Sequence, residues 1–458
     1  MKSLVQDARR ILPLAWPVLF GQLAVLAFGT VDTVLVARHS QADLAAFAVG
    51  AAAYITVFVG LMGVVLAVSP SVGQLFGAKR LEAAGEQFHQ GLWLAAGLSV
   101  LGSTLLVFPQ PFLWMARSTP DVAAGVRGYL LALAVSLPAS LLFTAFRAFN
   151  TAVSRPKVVM WLQVGGLCVK VPLSMALVSG VPAWGIPELG VTGCGVATAC
   201  AMWAQWLCAI VVLRKDSFYE QFQLWHAGLQ APRQAALMDL LRLGIPMGAA
   251  ILIEVSAFSF MALFIARIGT VSVAGHQIAM NLVSMMFMLP LALANATSTL
   301  VAQRIGANDL ADARRLGWHG VWIGTGLATL VATAVVAARA PIIGLYTRDA
   351  ATAAAALPLL AWLGIFHVSD ALQTISAFVL RAWRIATVPM VIYAGALWGV
   401  GLGGGYWLAF NVSGQVPAAL QGAPGFWAAA TAGLLVAGVG LAGFKRWVLR
   451  RPGVLSAS

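Results

Sequence analysis

The sequence predicts an all-α polytopic membrane protein in which twelve transmembrane helices form two parallel, pseudo-symmetric six-helix lobes. Three observations lead to this prediction: the composition, the length of the apolar segments and an internal repeat. Of the 458 residues, 60% are hydrophobic and 9% are charged, whereas about 25% of the residues in a soluble domain are charged. The mean hydropathy of +0.88 therefore points to a chain that is buried in lipid.

Apolar segments of about 20 to 25 residues recur along the chain, and a helix of that length crosses about 30 Å of hydrocarbon. They do not alternate between polar and apolar residues as the strands of an outer-membrane barrel do, so each segment is predicted to be a helix. The twelve predicted spans lie near residues 12–36, 46–70, 90–113, 124–146, 157–180, 190–213, 240–266, 275–300, 318–339, 354–380, 386–410 and 425–448.

Lysine and arginine residues are concentrated at the two termini and in the even-numbered connections, which together hold most of the 28 basic residues. Because basic connections stay on the cytoplasmic side of a membrane, both termini are predicted to be cytoplasmic. The net charge of +13 then reflects this sidedness and an attraction to anionic lipid headgroups. The basic residues are dispersed over short loops, so nucleic-acid binding is not predicted.

The chain also repeats itself at half its length. The segment GQLFGAKRLEAAGEQFHQGLW, which ends at Trp93, aligns without gaps with AQRIGANDLADARRLGWHGVW, which ends at Trp322. The same offset pairs Pro17 with Pro246. Each half then holds six spans, and an even number of spans makes the halves parallel repeats related by an axis along the membrane normal.

The predicted domains follow from this repeat. They are an N-terminal six-helix lobe at residues 1–213, a cytoplasmic inter-lobe linker at 214–239 and a C-terminal six-helix lobe at 240–458. Two such halves are typical of secondary transporters, in which the substrate path runs between the repeats.

Nucleotide binding is not predicted for this chain. The sequence contains no GxxxxGK[ST] motif, so direct powering by a nucleotide is not expected. The run GVGLGGG at 399–405 lies within a predicted span and not after a strand. It therefore indicates close helix packing through Gly401 and Gly405.

Four ionisable side chains lie deep inside the predicted spans: Asp32, Lys170, Glu254 and Asp370. A charged group at the centre of a span costs about 2.5 to 3.5 kcal/mol, so such groups usually face a protein interior or a wet cavity. Glu254 and Asp370 lie at similar depths in the second half. Two carboxylates in one dry pocket are neutralised by a proton or a bound cation, so this pair is predicted to be a coupling site. His367, one helical turn before Asp370, is predicted either to share its proton or to form an ordinary hydrogen bond within the span.

The first half carries a different charge pattern, because Asp32 and Lys170 are positioned to form an ion pair. A purely structural interaction between helices is the alternative for each of these charged residues. The repeat does not duplicate the acids of the second half, since Glu254 corresponds to Val25. The sequence therefore predicts a symmetric scaffold with asymmetric chemistry.

Several short motifs follow one another along the chain. They are VDTVLVAR in span 1, GQLFGAKR after span 2, SRPK before span 5, AGHQIAMN at the start of span 8 and AQRIGAND after it. Together with Glu254 and Asp370, this ordered set resembles the multidrug and toxic compound extrusion (MATE) transporters, in particular their NorM-like bacterial branch. The resemblance implies two lobes that form a V-shaped cavity, and the cation-driven export of amphipathic or cationic compounds.

The resemblance also implies roles for individual residues. Asp32 matches an acid of the first lobe that is linked to proton or drug coupling. Glu254 and Asp370 match acids of the second lobe that are implicated in sodium or proton binding. Asn281 and Gln277, both in AGHQIAMN, are candidate neutral neighbours of the cation or substrate.

The chain departs from the family pattern in the segment KVPLS. Where the family often has an asparagine on each side of the proline, this sequence has Lys170 and Ser174, which are further candidate neighbours of the site. A fixed ammonium group is expected to compete with a proton or cation at Asp32, so coupling in the first lobe is expected to differ.

The sequence thus predicts a secondary active multidrug efflux transporter that exports amphipathic or cationic drugs and dyes in exchange for Na+ or H+. Glu254 and Asp370 are candidate Na+ ligands; no enzyme activity, resident cofactor or obligate protein partner is predicted. The nearest alternative is a flippase for a lipid-linked saccharide of the same superfamily, which needs several basic residues to hold a pyrophosphate, whereas only Lys170 is available. A membrane-embedded transferase or isomerase would need acidic or histidine clusters at the membrane boundary, and the short loops show none.

Overall fold

A computed structural model of the chain describes residues 2–116, 119–185, 187–225 and 228–450. In these residues, twelve helices are long and apolar enough to cross a membrane. They are α1 Ser3–His39, α2 Gln41–Gly77, α3 Leu81–Val107, α4 Pro120–Ala152, α5 Pro156–Ser179, α6 Gly190–Lys215, α7 Gln234–Ala266, α8 Thr270–Gly306, α9 Leu310–Ala337, α10 Ala350–Ala382, α11 Thr387–Ala409 and α12 Ala423–Leu449. Each predicted span overlaps one of them, so the twelve-helix fold class is confirmed. Most of the helices are longer than the predicted spans because backbone hydrogen bonding continues beyond the apolar part of each segment.

The helices pack into two compact units. The first unit is Phe20–Gly248, and the second combines Met1–Leu19 with Ala249–Ser458. The boundaries therefore fall inside α1 and α7, at positions equivalent in the repeat, and not in the connection at 214–239. These units are defined by which residues pack together, whereas the predicted lobes were defined by the sequence repeat. The predicted lobe boundaries therefore stay a prediction.

The two halves of the chain make the same turns at equivalent positions. Between α2 and α3 the backbone turns through Lys79 in the left-handed region, with φ of 58°, and between α8 and α9 it turns through Asn308, also with φ of 58°. Each turn leads into a long helix that is followed by a short one, Gln110–Ala116 in the first half and Arg339–Tyr346 in the second. The internal repeat read from the sequence is thus present in the backbone.

Two of the identical glycines in the repeat also make equivalent contacts. A Cβ added at Gly91 would lie 2.5 Å from Cγ2 of Val68, and one added at Gly320 would lie 2.2 Å from Cγ2 of Thr297. Val68 and Thr297 are themselves equivalent positions. Only a residue without a side chain allows the two helices of each pair to approach so closely.

The glycine-rich run is part of α11, which is π-helical over Ala394–Gly403. A Cβ added at Gly405 would lie 2.6 Å from Cδ1 of Phe426, and one added at Gly401 would lie 3.6 Å from Cα of Ala430. Both contacts are with α12, so the predicted role in close helix packing is confirmed. The π-helical turn is wider than an α-helical one and often marks a functional region.

The predicted linker at 214–239 is part of the first unit, and it contacts the helices of that unit. Ser217–Phe222 forms a short 3-10 helix, and Nε2 of Gln90 on α3 donates to the carbonyl oxygen of Ala231 at 3.0 Å. The hydroxyl of Tyr219 donates to Oδ1 of Asn150 on α4 at 2.5 Å. Burial raises the pKa of Tyr219 to about 12, so its phenol keeps the proton that it donates.

Candidate functional site

The first unit contains a buried ion pair. Nζ of Lys170 on α5 lies 2.6 Å from Oδ2 of Asp32 on α1, and only 2% of Lys170 and 3% of Asp32 is exposed. Ser174, one turn after Lys170, donates from Oγ to Oδ1 of Asp32 at 3.4 Å. Lys170 and Ser174 therefore face Asp32 together, and the Asp32–Lys170 pair is the one that the positions in the sequence allowed.

The Lys170 ammonium has further partners in α1. It donates to the carbonyl oxygen of Phe28 at 3.4 Å and lies 4.9 Å from the centre of the Phe28 ring. A carbonyl oxygen and an aromatic face both attract a cation. The ammonium group is thus held in place on several sides, and it balances the charge of Asp32.

The second unit contains a pair of carboxylates that share one hydrogen-bond donor. Nε2 of Gln373 donates to Oε1 of Glu254 at 2.9 Å and to Oδ1 of Asp370 at 2.9 Å. The same nitrogen lies 3.1 Å from Oγ1 of Thr374. Glu254 comes from α7, and the other three residues come from one turn of α10. We call these four residues the carboxylate cradle.

A buried arginine lies near the carboxylate cradle. Arg381 on α10 is 5% exposed, and its Nη1 has no hydrogen-bond partner among the described residues. Its guanidinium lies over the ring of Phe378, 4.4 Å from the centre, and Arg381 follows Gln373 by eight residues, about two helical turns along the same side of α10. Two carboxylates and one guanidinium leave this region with a net negative charge when all three are ionised.

The π-helical part of α11 positions the turn of α7 that carries Glu254. Nε1 of Trp398 donates to the carbonyl oxygen of Ile253 at 3.1 Å and to Oγ of Ser256 at 3.2 Å. Oγ of Ser256 also donates to the carbonyl oxygen of Ile253, at 3.0 Å. The indole therefore bonds to residues on both sides of Glu254 and fixes the local backbone from which the carboxylate extends.

Three predicted neighbours lie apart from the hydrogen bonds of the carboxylate cradle. His367 is buried, but its Nε2 has no partner in the described part of the chain, and no hydrogen bond between described residues joins it to Asp370. Asn281 donates to the carbonyl oxygen of Gln277 at 3.2 Å, four residues earlier in its own helix. The side chains of Asn281 and Gln277 are both exposed. In the residues described, no hydrogen bond joins His367, Asn281 or Gln277 to the carboxylates of Glu254 and Asp370.

Sequence reasoning missed two residues of this region. Gln373 follows Asp370 by three residues, so the two lie on the same face of a helix, and this spacing was a signal that could have identified it. Arg381 comes one residue after the predicted tenth span, but α10 continues to Ala382 and the Arg381 side chain is buried. Its long side chain is directed back along the helix, as helical side chains are, and so stays buried.

The carboxylate cradle offers oxygen atoms to a cation. No group of three or more histidine, cysteine, aspartate or glutamate residues suited to a metal ion occurs in the described ranges. The oxygen atoms that converge here are those of the two carboxylates and the Thr374 hydroxyl, with the amide nitrogen of Gln373 between them. Such a set suits a hard cation or a proton better than a transition metal, which prefers nitrogen or sulfur ligands.

Comparison with known proteins gives full-length matches. The MatE family model matches residues 17–176 and 246–407. The chain is 40% identical over 445 residues to the "Probable multidrug resistance protein NorM" of Aromatoleum aromaticum, covering 97% of this chain and 95% of that protein. It is 34% identical over 455 residues to the "Multidrug resistance protein MdtK" of Pectobacterium atrosepticum, covering 99% and 98%. The fold matches the crystal structure of the Vibrio cholerae MATE transporter VcmN in the bent form with a TM-score of 0.84 at 18% identity, covering 99% of this chain and 100% of that one.

Twelve apolar helices in two repeats, with buried charges held between helices, define a polytopic membrane protein of the secondary-transporter class. The two segments matched by the family model begin one repeat offset apart, so the model recognises each half separately. The chain belongs to the MatE family, the MATE transporters, and the family indicated by the sequence motifs is confirmed.

Proposed function

We propose that this protein is a secondary active multidrug efflux transporter that exports amphipathic or cationic compounds in exchange for Na+ or H+. It resides in a bacterial cytoplasmic membrane with both termini in the cytoplasm, and it carries out no covalent chemistry. The relatives named as multidrug resistance proteins support this function. The observation that carries the coupling site is the shared donor, since Glu254 and Asp370 both accept from Gln373 at 2.9 Å.

The proposed coupling follows from the charge of the carboxylate cradle. Two carboxylates in a region of low dielectric repel each other unless a proton or cation joins them. A cation that binds from outside neutralises this charge and weakens the hold of the second unit on a cationic compound, which is then released. Loss of the cation to the cytoplasm restores the charge and the affinity. Asp32 is not assigned to this cycle, because Lys170 already balances it.

The lipid-linked saccharide flippase is not favoured. Such a substrate carries a pyrophosphate and needs several free basic groups. Lys170, the basic residue deep in the predicted spans, is 2.6 Å from Asp32 and is committed to it. The relatives with full-length matches are multidrug resistance proteins.

Dye efflux from proteoliposomes tests the proposal. Ethidium efflux is measured under an imposed sodium gradient and, separately, under an imposed proton gradient, with wild type, Glu254→Gln and Asp370→Asn. One gradient is expected to drive efflux by the wild type, and both variants are expected to fall to the protein-free background. Asp121→Asn, which changes an exposed aspartate at the start of α4, serves as the matched control and should transport normally.

Efflux by correctly inserted Glu254→Gln at the wild-type rate would refute the assignment of the carboxylate pair. No efflux by wild type under either gradient would refute the antiporter itself and redirect attention to lipid substrates.

A further inference from the structure

The side-chain nitrogen of Gln373 lies at the focus of three oxygen atoms. Those of Glu254 and Asp370 are each 2.9 Å away, and that of Thr374 is 3.1 Å away. An amide nitrogen has two hydrogens to donate, so three acceptors exceed its capacity. A small cation can bind several oxygens at once from any direction, whereas an amide nitrogen can donate only two hydrogen bonds. Three oxygens around one point therefore suit a cation better than an amide.

The other end of the same amide is unsatisfied. Gln373 is fully buried, and its Oε1 has no hydrogen-bond partner among the described residues. Most buried polar atoms are paired, and leaving one unpaired costs about 1 to 3 kcal/mol. The nitrogen of the Gln373 amide thus has more acceptors than it has hydrogens, while the oxygen has no donor. This is unusual for a buried side chain.

Turning the amide end for end exchanges these two atoms, because its oxygen and nitrogen fill nearly the same volume. Oε1 would then face the oxygens of Glu254, Asp370 and Thr374. Four oxygens around one point repel one another unless a positive charge lies between them. A hard cation prefers such oxygen ligands, and a proton held by one carboxylate could likewise be donated to Oε1.

We propose that Gln373 is a two-state element of the coupling site. Without the coupling ion, its N–H groups take the place of the ion and hold the two carboxylates together. With the ion bound, the amide is turned and Oε1 serves as a ligand or as a proton acceptor. This inference rests on the proposed function, in which Glu254 and Asp370 bind the coupling ion, and adds a residue and a rearrangement to it.

Such an element suits a transporter because the ion must both bind and leave. In a dry site without a hydrogen-bond donor, the two carboxylates would repel each other strongly once the ion had left. The ion would then be held too tightly to be released. The Gln373 amide partly compensates the empty site, which lowers the cost of emptying it. The same amide supplies a ligand to the loaded site, so neither state leaves the carboxylates without a partner.

The substitution Gln373→Leu tests this proposal, because leucine has neither the donor nor the ligand. Efflux is measured as a function of external Na+ at fixed pH, and as a function of external pH without Na+. The half-saturating concentration of the driving ion is expected to rise about tenfold or more. The loaded site loses one contact to a charged group, whereas in the empty site water that enters the space left by the amide replaces its N–H donors. If Gln373 only competes with the ion, the same substitution must lower that concentration. An unchanged or lowered value therefore overturns the proposal.

A second variant guards against failure of the leucine variant to fold. Gln373→Asn keeps the amide but shortens its reach by one methylene, and it is expected to raise the half-saturating concentration in the same way; no change or a decrease again overturns the proposal. Gln205→Leu is the matched control, since Gln205 is a buried glutamine in the first unit that packs against Gly166. It should leave the ion dependence at the wild-type value.

The two proposals fail in distinguishable ways. If Glu254→Gln and Asp370→Asn retain normal ion-driven efflux, the coupling site itself is misassigned. If those two variants lose efflux while Gln373→Leu has the ion dependence of wild type, only the role of Gln373 is refuted.

Discussion

The two units of this protein treat buried carboxylates in opposite ways. In the first unit, Asp32 is matched by the Lys170 ammonium at 2.6 Å. In the second, Glu254 and Asp370 share the uncharged amide of Gln373. The first site is complete in itself, whereas the second has two carboxylates around an uncharged amide and keeps a net negative charge even when Arg381 is included. A repeated scaffold therefore carries one site with a permanent counter-ion and one that needs an exchangeable ion.

The difference shows what makes a buried acid suitable for coupling. A cation attached to the chain cannot leave, so the Asp32–Lys170 pair cannot carry an ion across the membrane while it remains intact. Removing charge from water costs several kcal/mol per ion, and a partner of opposite charge offsets most of that cost. Glu254 and Asp370 have only partial compensation, so a free cation or a proton gains affinity there.

The largest expected effect comes from breaking the complete site. Lys170→Met leaves Asp32 buried without a counter-ion, which is expected to destabilise the protein by about 3 to 5 kcal/mol. Equilibrium unfolding with SDS in mixed micelles measures this change. The double variant Asp32→Asn with Lys170→Met removes both charges and is expected to recover most of the loss. Equal stability of wild type and Lys170→Met would mean that the ion pair does not hold α1 to α5.

The next effect comes from making the second site resemble the first. Gln373→Lys places a tethered ammonium group among the oxygens of Glu254, Asp370 and Thr374, as Lys170 does for Asp32. Dye efflux is expected to lose its response to either imposed ion gradient, while resistance to SDS unfolding is kept or increased. Gln373→Met, of similar length without charge, is the control for bulk. A normal response of Gln373→Lys to the gradient would show that the coupling ion binds elsewhere.

A smaller effect is expected from changing the charge near the carboxylate cradle without touching its oxygens. Arg381→Gln removes the buried guanidinium that lies two helical turns from Gln373 on α10, so the coupling ion should bind more tightly because it no longer meets that positive charge. Eight residues of helix rise about 12 Å, and a unit charge at about that distance and an effective dielectric of about 20 is worth about 1.4 kcal/mol, which corresponds to a half-saturating concentration about tenfold lower. Arg381→Lys keeps the charge and should stay close to wild type. A half-saturating concentration that stays the same or rises in Arg381→Gln would exclude an electrostatic role for this residue.

Much of the fold could be predicted because its signals are local or compositional. The length and apolarity of each span, the proline and glycine positions and the repeat ending at Trp93 and Trp322 are all properties of contiguous sequence. They correctly indicated twelve helices and two equivalent halves. The packing units were not foreseen, because the division of α1 at Leu19 and Phe20 depends on which helices each end contacts.

The charged residues of the candidate site could be predicted from the sequence, but the contacts between them could not. An acid such as Glu254 within an apolar helix is visible in the sequence because burying it is costly. Three features depend on the rotation of each helix and the reach of each side chain. They are the shared contact of Glu254 and Asp370 with Gln373, the burial of Arg381 and the hydrogen bond of Asn281 to its own helix. The sequence by itself thus determined the number of helices, the repeat and the acids that need a partner. Only the tertiary structure decided which partner each acid has, because helices from distant parts of the chain supply it.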